Sequence, residues 1–304
     1  MARQAGPPLT KAVIERAVAR RSDAGWLAGA WADERTQVLV IADGQARARI
    51  GDGAAELVFV PPRLAPGGTR FLLGVDSDDR AFFGVGATLP EIGGDADGDA
   101  DGAVRRAGLR EVGPLLADRE AGLLTQAVAL ANWHASAVHC PRCGSRTEPE
   151  MAGHSRRCTA DGSEHFPRTD PAVIMLVTNP DDRCLLARNV LWPPRRVSVL
   201  AGFVEPGESA EQAVAREVHE ETGVVVTRVS YAGSQPWPMP HSLMLGFRAE
   251  TADTAITVDA QEIAEARWYS RDELRAAIAA GDVLIPPSLS ISRWLIETWY
   301  GGPL

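Results

Sequence analysis

Residues 202–224 read GFVEPGESAEQAVAREVHEETGV. The segment predicts a helix over Ser209–Thr222, and that helix carries Glu217, Glu220 and Glu221 on one side near its C-terminal end. Like charges three and four residues apart destabilise a helix by roughly 0.2–0.5 kcal/mol per pair. The partial negative charge at the helix C-terminus adds to that cost. A solvated acidic face normally interleaves basic residues at i+4, and this face is read as lacking them. A positive partner is therefore expected. Hard divalent cations take carboxylate oxygens, and Mg²⁺ commonly uses one or two of them together with substrate phosphates and water. Arg216 is expected to pair with Glu208 and hold the preceding loop. Gly202 permits close backbone approach, and Gly223 ends the helix as the residue after its cap.

As a pattern the segment is G-x5-E-x7-R-E-V-x-E-E-x-G-V, from Gly202 through Glu208, Arg216, Glu217, Glu220, Glu221 and Gly223 to Val224. It resembles the Nudix box, with every defining position filled. The resemblance implies an α/β/α sandwich domain that hydrolyses a diphosphate linked to another moiety, using Mg²⁺ or Mn²⁺. Upstream, CPRCGSRTEPEMAGHSRRCTADGSEHFP resembles a zinc ribbon. Cys140 and Cys143 form a C-x-x-C knuckle and Cys158 begins a second, whose fourth position holds Asp161. Asp161 can bind zinc through oxygen, with His165 or His154 as alternatives. Cys184, in RCLLAR, sits on an apolar strand pattern and is read as core.

Downstream, SQPWPMPHS (Ser234–Ser242) resembles the SQPWPFPxS array of the NADH pyrophosphatase branch, which also carries a ribbon before its Nudix domain. Met239 replaces the usual Phe. The resemblance implies metal ligands at Glu217, Glu221 and Glu262, with the Ala201 carbonyl as a further one and Glu220 as ligand or base. It implies substrate contacts from Gln235, Pro236, Trp237, Pro238, Met239, Pro240, His241 and Ser242, and more weakly from Ser292 near the adenine end. Phe203 and Phe166 fall where the family stacks nicotinamide, Phe166 from a partner subunit, so a homodimer is implied. NAD(H), giving nicotinamide mononucleotide and AMP, is the implied substrate, and RNA carrying NAD at its 5′ end shares the same bond. ADP-ribose or another dinucleotide is the nearest rival. A catalytically idle nucleotide- or RNA-sensing module is a rival of another class.

The whole chain fits that frame. Its 304 residues suffice for more than one core. We divide it into a β-rich region at 1–117, a linker helix and ribbon at 118–169, and the Nudix domain at 170–304, an α+β protein. Residues 10–21 read as a short amphipathic helix, and 119–137 as a longer one. Val38–Ala42, Glu56–Val60, Arg70–Val75 and Ala81–Val85 read as strands. Within GGDADGDADGA (Gly93–Ala103), Asp97, Asp99, Asp101 and Gly102 match the start of a calcium loop, but the twelfth position counted from Asp97 is Gly108 where a glutamate is needed, so the segment reads as a solvated loop. The net charge of −9 argues against broad, sequence-blind nucleic-acid binding. Lys11 is the only lysine, and arginine is spread along the chain rather than gathered in one segment. No apolar run approaches the roughly 20 residues of a membrane span, and the N-terminus lacks a signal-peptide core. A cytoplasmic, membrane-free protein is expected, in which four cysteines favour metal or chance over disulfides.

Overall fold

The computed structural model describes residues 6–10, 14–87 and 103–304. All of the Gly93–Ala103 loop except Ala103 lies outside them. The elements in chain order are α1 (Ala24–Ala32), β1 (Gln37–Ile41), β2 (Gln45–Ile50), β3 (Ala55–Leu57), β4 (Thr69–Val75), β5 (Ala81–Gly86), β6 (Ala103–Gly108), α2 (Leu109–Val112) and α3 (Asp118–Ser136). The ribbon follows as β7 (Thr147–Glu150), β8 (Ser155–Cys158) and β9 (Glu164–His165). Then come β10 (Asp170–Thr178), β11 (Cys184–Asn189), β12 (Leu200–Phe203), α4 (Ala210–Thr222), β13 (Val226–Trp237), β14 (Ser242–Thr251), β15 (Ile263–Tyr269), α5 (Arg271–Ala279) and α6 (Ile291–Tyr300).

Two compact units result. One contains the described residues of 11–169 together with Trp237–His241, and the other Asp170–Pro236, Ser242–Leu304 and the described residues of 1–10. The ribbon and the β-rich region fall in the same unit. The first unit carries sheets ordered β1-β5-β4, β3-β2-β6 and β7-β8-β9. Among the described residues of 10–21 the expected helix is not formed: Glu15 bridges Val75 at the edge of β4, and Val18–Arg20 makes a single 3₁₀ turn. Backbone pairing to a strand edge outweighs the apolar spacing there.

The second unit is a six-stranded sheet, β13-β14-β10-β11-β15 with β12 paired to β10. Central strand β10 is buried on both faces, so its sequence is a continuous apolar run rather than an alternation. Val173, Met175 and Val177 pack with Ala213, Val214 and Val218 of α4. Ile174 and Leu176 pack with Ile291, Leu295 and Ile296 of α6, and Leu274 of α5 joins them. This is the α/β/α sandwich. Cys184 lies in the second of these cores, fully buried, as its strand pattern suggested. Ahead of β12, Ser198 is held by an isolated bridge to Ala187.

Candidate functional site

Helix α4 is fixed at both ends. Ser209 caps its first turn through a box with Gln212, whose side chain answers the Ser209 amide at 2.8 Å. At the other end Gly223 adopts φ 70° and donates to the His219 carbonyl at 2.8 Å. The glutamates are thereby set against β12, which antiparallel pairing locks to β10 through Ala201–Ile174 and Gly202–Val173.

Contrary to the expectation of a face without basic residues, Arg216 supplies a positive partner. It sits four residues before Glu220 and binds it at 2.9 Å. It also grips Glu208 at 2.8 and 2.9 Å, Glu217 at 2.9 Å and the Phe203 carbonyl at 2.9 Å. One guanidinium therefore ties the loop, the strand and the helix together, and it holds Glu208 below the usual carboxylate range. Glu221 receives none of this. Only 7% exposed, it has an Oε2 that is buried without a hydrogen-bond partner. Burial first, then the charges of Glu217, Glu262 and Glu220, push its carboxyl up to about 8. Burial also raises Glu217, against the pull of Arg216. Glu262 is exposed on the turn before β15, close enough for its charge to be felt by both.

Such a donor set fits a divalent cation: the charges of Glu217, Glu220, Glu221 and Glu262 act on one another, and one buried Glu221 oxygen has no hydrogen-bond partner. Gly202 shows how tightly the pieces meet. A Cβ there would lie 1.9 Å from the Glu217 carboxyl carbon, so the absent side chain makes room for that carboxylate.

The other expected site residues divide by environment. Phe203 is 59% exposed and Phe166 66% exposed, so neither is a core residue. Gln235 is fully buried and its amide is already engaged: Nε2 donates to the Pro8 and Leu289 carbonyls at 2.9 and 2.7 Å, and Oε1 accepts from Ile291 at 2.9 Å. Ser292 is likewise buried, with its hydroxyl 2.7 Å from that of Ser198. Ser234–Trp237 end β13 and Ser242 opens β14, so the array is the turn between two strands rather than a loop throughout. Pro236, at the end of β13, and Met239 and His241, in the turn, are half-buried, and Pro240 is exposed. Asn132 of α3 donates to the Pro238 and Pro240 carbonyls at 3.0 and 3.4 Å, and Arg110 lies 5.4 Å from the Trp237 ring centre. Asn132 and Arg110 carried no motif, and nothing in the sequence pointed to them.

The ribbon brings Cys140, Cys143, Cys158 and Asp161 together, with all ligand atoms within 4.8 Å of one another. Its halves, CPRCGS and CTADGS, match turn for turn. Gly144 and Gly162 have φ 74° and 69°. Cys140 and Cys158 accept from those glycines at 2.9 and 3.1 Å and donate to the Ser145 and Ser163 carbonyls at 2.8 and 2.9 Å. Asp161 stands where Cys143 stands in the other half. Its Oδ1 accepts from the Ser163 amide at 2.9 Å and hydroxyl at 2.5 Å. His154 is spent elsewhere, on the Leu72 carbonyl at 2.7 Å, and His165 meets the Ser163 hydroxyl at 3.0 Å. Both alternatives give way to Asp161. Three thiols and a carboxylate in tetrahedral reach suit Zn²⁺.

Residues 168–286 match the Nudix domain, and residues 135–166 the NADH pyrophosphatase zinc ribbon domain. The chain is 43% identical over 310 residues to the NAD-capped RNA hydrolase NudC of Mycobacterium bovis (strain BCG / Pasteur 1173P2), covering 96% of this chain and 94% of that protein. The figures are the same for NudC of Mycobacterium tuberculosis (strain ATCC 25618 / H37Rv). To the human NAD-capped RNA hydrolase NUDT12 it is 42% identical over 196 residues, 60% of this chain and 42% of that one. Box, ribbon and near full-length likeness agree, and the chain belongs to the Nudix hydrolases, in the branch that carries the NADH pyrophosphatase zinc ribbon.

Proposed function

We propose that this protein hydrolyses the diphosphate bond of NAD(H), and of NAD borne at the 5′ end of an RNA, with Mg²⁺ or Mn²⁺ at the box. The observation that carries this reading is the buried, unpartnered carboxylate of Glu221 set beside Glu217 and Glu262. Glu217, Glu221 and Glu262, with the Ala201 carbonyl, would hold the cation; when bound it polarises the phosphoryl oxygens and acidifies a water. Arg216 fixes Glu217 and Glu220 so that the carboxylates do not splay apart under their own repulsion. Water adds to one phosphorus and passes a proton to a carboxylate of the box. The bridging P–O bond breaks, leaving nicotinamide mononucleotide and AMP, or an RNA with a 5′ monophosphate.

Recognition of the nicotinamide half is assigned to the exposed faces of Phe203 and of Phe166 of the partner subunit, in a homodimer. An aromatic face suits a ring whose only hydrogen-bonding group is its carboxamide. Gln235 and Ser292 then act by shaping the site, since their side chains are committed to the protein's own groups. Cytoplasmic residence agrees with the ribbon's need for reduced thiols. Among the described residues no helix is long and apolar enough to cross a membrane.

The test is kcat/KM for NADH, NAD⁺, ADP-ribose and NAD-capped RNA with Mg²⁺ or Mn²⁺, plus an EDTA control. Preference for the nicotinamide substrates supports the reading. Equal or better turnover of ADP-ribose makes the protein a different dinucleotide hydrolase, and no turnover of any of them makes it a binding module.

A further inference from the structure

An RNA whose end is held at the box must leave along some surface, and a chain of net charge −9 offers phosphates little general attraction. One surface beside the box has the needed character. The segment Arg188–Arg196 reads RNVLWPPRR, with no acidic residue. It is joined to the site by backbone: Val190 donates to the Glu262 carbonyl at 2.9 Å, one residue after Asn189 pairs with Ile263. Its far end is pinned as well, because Leu284 donates to the Arg195 carbonyl at 2.8 Å and Val197 to the Leu284 carbonyl at 3.0 Å. The result is a fixed ledge within the Nudix unit.

The side chains on that ledge are unusual for a surface with no partner. Leu191 is 88% exposed and Leu284 is also exposed. The Arg196 guanidinium lies over the Trp192 ring, 5.2 Å from its centre. Among the described residues, Arg188, Arg195 and Arg196 have no carboxylate partner; Arg195 reaches only the Gly281 carbonyl, at 3.1 Å. By contrast, Arg216 and Arg293 of the same unit are paired to glutamates. Aromatic and apolar faces interleaved with unpaired arginines are what single-stranded nucleic acid uses, bases stacking while phosphates meet guanidinium groups.

We propose that this ledge is the track for the RNA strand that follows the NAD end, with Trp192 and Leu191 taking base faces and Arg188, Arg195 and Arg196 taking phosphates. The proposal rests on the reading that NAD-capped RNA is a substrate. It adds a binding surface that free NAD(H) does not touch.

The experiment compares wild type, Trp192→Ala and the double variant Arg188→Gln/Arg196→Gln on NADH and on an NAD-capped single-stranded RNA across a salt series. Oligomeric state is followed by sedimentation. Each variant is expected to lose about tenfold or more in kcat/KM on the RNA, as stacking or phosphate contacts are removed, while keeping its rate on NADH. For the double variant, the slope of log(kcat/KM) against log salt should become shallower by about 1.4, since each single-strand phosphate contact contributes roughly 0.7. Unchanged RNA kinetics, or equal losses on both substrates, would overturn the ledge alone. Losses that accompany a changed oligomeric state would make it an interface between copies of the chain, which also overturns it. Wild-type protein that cleaves NADH but leaves capped RNA intact would remove the underlying reading and the ledge with it.

Discussion

Gly202 and Glu221 show two ways in which single residues serve the box. At Gly202 the side chain is absent because the Glu217 carboxylate occupies its space. At Glu221 a carboxylate is buried with an oxygen unpaired, which costs stability in the metal-free protein. Glu221→Gln should therefore act in opposite directions on stability and activity. In EDTA the variant should melt at or above the wild-type temperature, because an uncompensated group among Glu217 and Glu262 has been neutralised. With Mg²⁺ it should lose at least about 100-fold in kcat, on the order of 3 kcal/mol of barrier. It should also lose the rise in Tm that the cation gives wild type. Thermal melts with and without cation, together with turnover, check this; undiminished turnover would end the assignment. The crowding of these glutamates was legible from spacing alone. The manner of its relief was not: Arg216 was expected to serve Glu208, and its reach to Glu217 and Glu220 depends on the side chain's path across the helix.

Among the elements, those with strong apolar runs or capping signals were readable. Helix α4 begins after Ser209, and β1, β4, β5 and α3 fall within a residue or so of where their patterns put them. Strands β2 and β6, QARARI and AVRRAG, escaped notice because their buried face is built from alanine, which carries little strand preference. The ribbon was legible as a cluster but not as a symmetric pair of turns. That symmetry predicts that Asp161→Cys will bind zinc more tightly and hold it against a chelator longer, since thiolate is the stronger zinc ligand. Asp161→Ala should release zinc and lower Tm, with metal content as the readout.

The ribbon's attachment carries a separate pH dependence. His134 of α3 holds the Gly153 carbonyl at 2.8 Å, and Arg156 donates to its other nitrogen at 2.9 Å; His154 holds the Leu72 carbonyl. Burial depresses both imidazoles to about 4. Unfolded chain takes up these protons near pH 6.5 while the native state still refuses them. Their contribution is complete above that pH and is lost as pH falls from 6.5 through 4. His154→Gln should flatten the fall of Tm between pH 6.5 and 5 relative to wild type. An unchanged pH slope would mean that His154 is already charged in the native state.

At the scale of the whole molecule, the two aromatic faces assigned to nicotinamide lie on different units of the chain, and Phe166 is assigned to act from the partner subunit. At 66% exposed, Phe166 has no packing role to lose, so Phe166→Ala should fold normally. Removing one stacking face should lower kcat/KM for NAD(H) about tenfold or more. ADP-ribose, which has no ring at that end, should be spared. A closed two-fold dimer allows a sharper test, because each site would then draw Phe166 from one subunit and its glutamates from the other. Mixing Phe166→Ala with Glu221→Gln under conditions of subunit exchange makes mixed dimers. In each of them one site has both defects and the other has neither. Random reassortment of equal amounts should restore about a quarter of wild-type NADH turnover, from parents that are each far below it. Exchange confirmed by mass-tagged subunits, with no recovery of turnover, would place the ring in its own subunit's site or outside the site altogether.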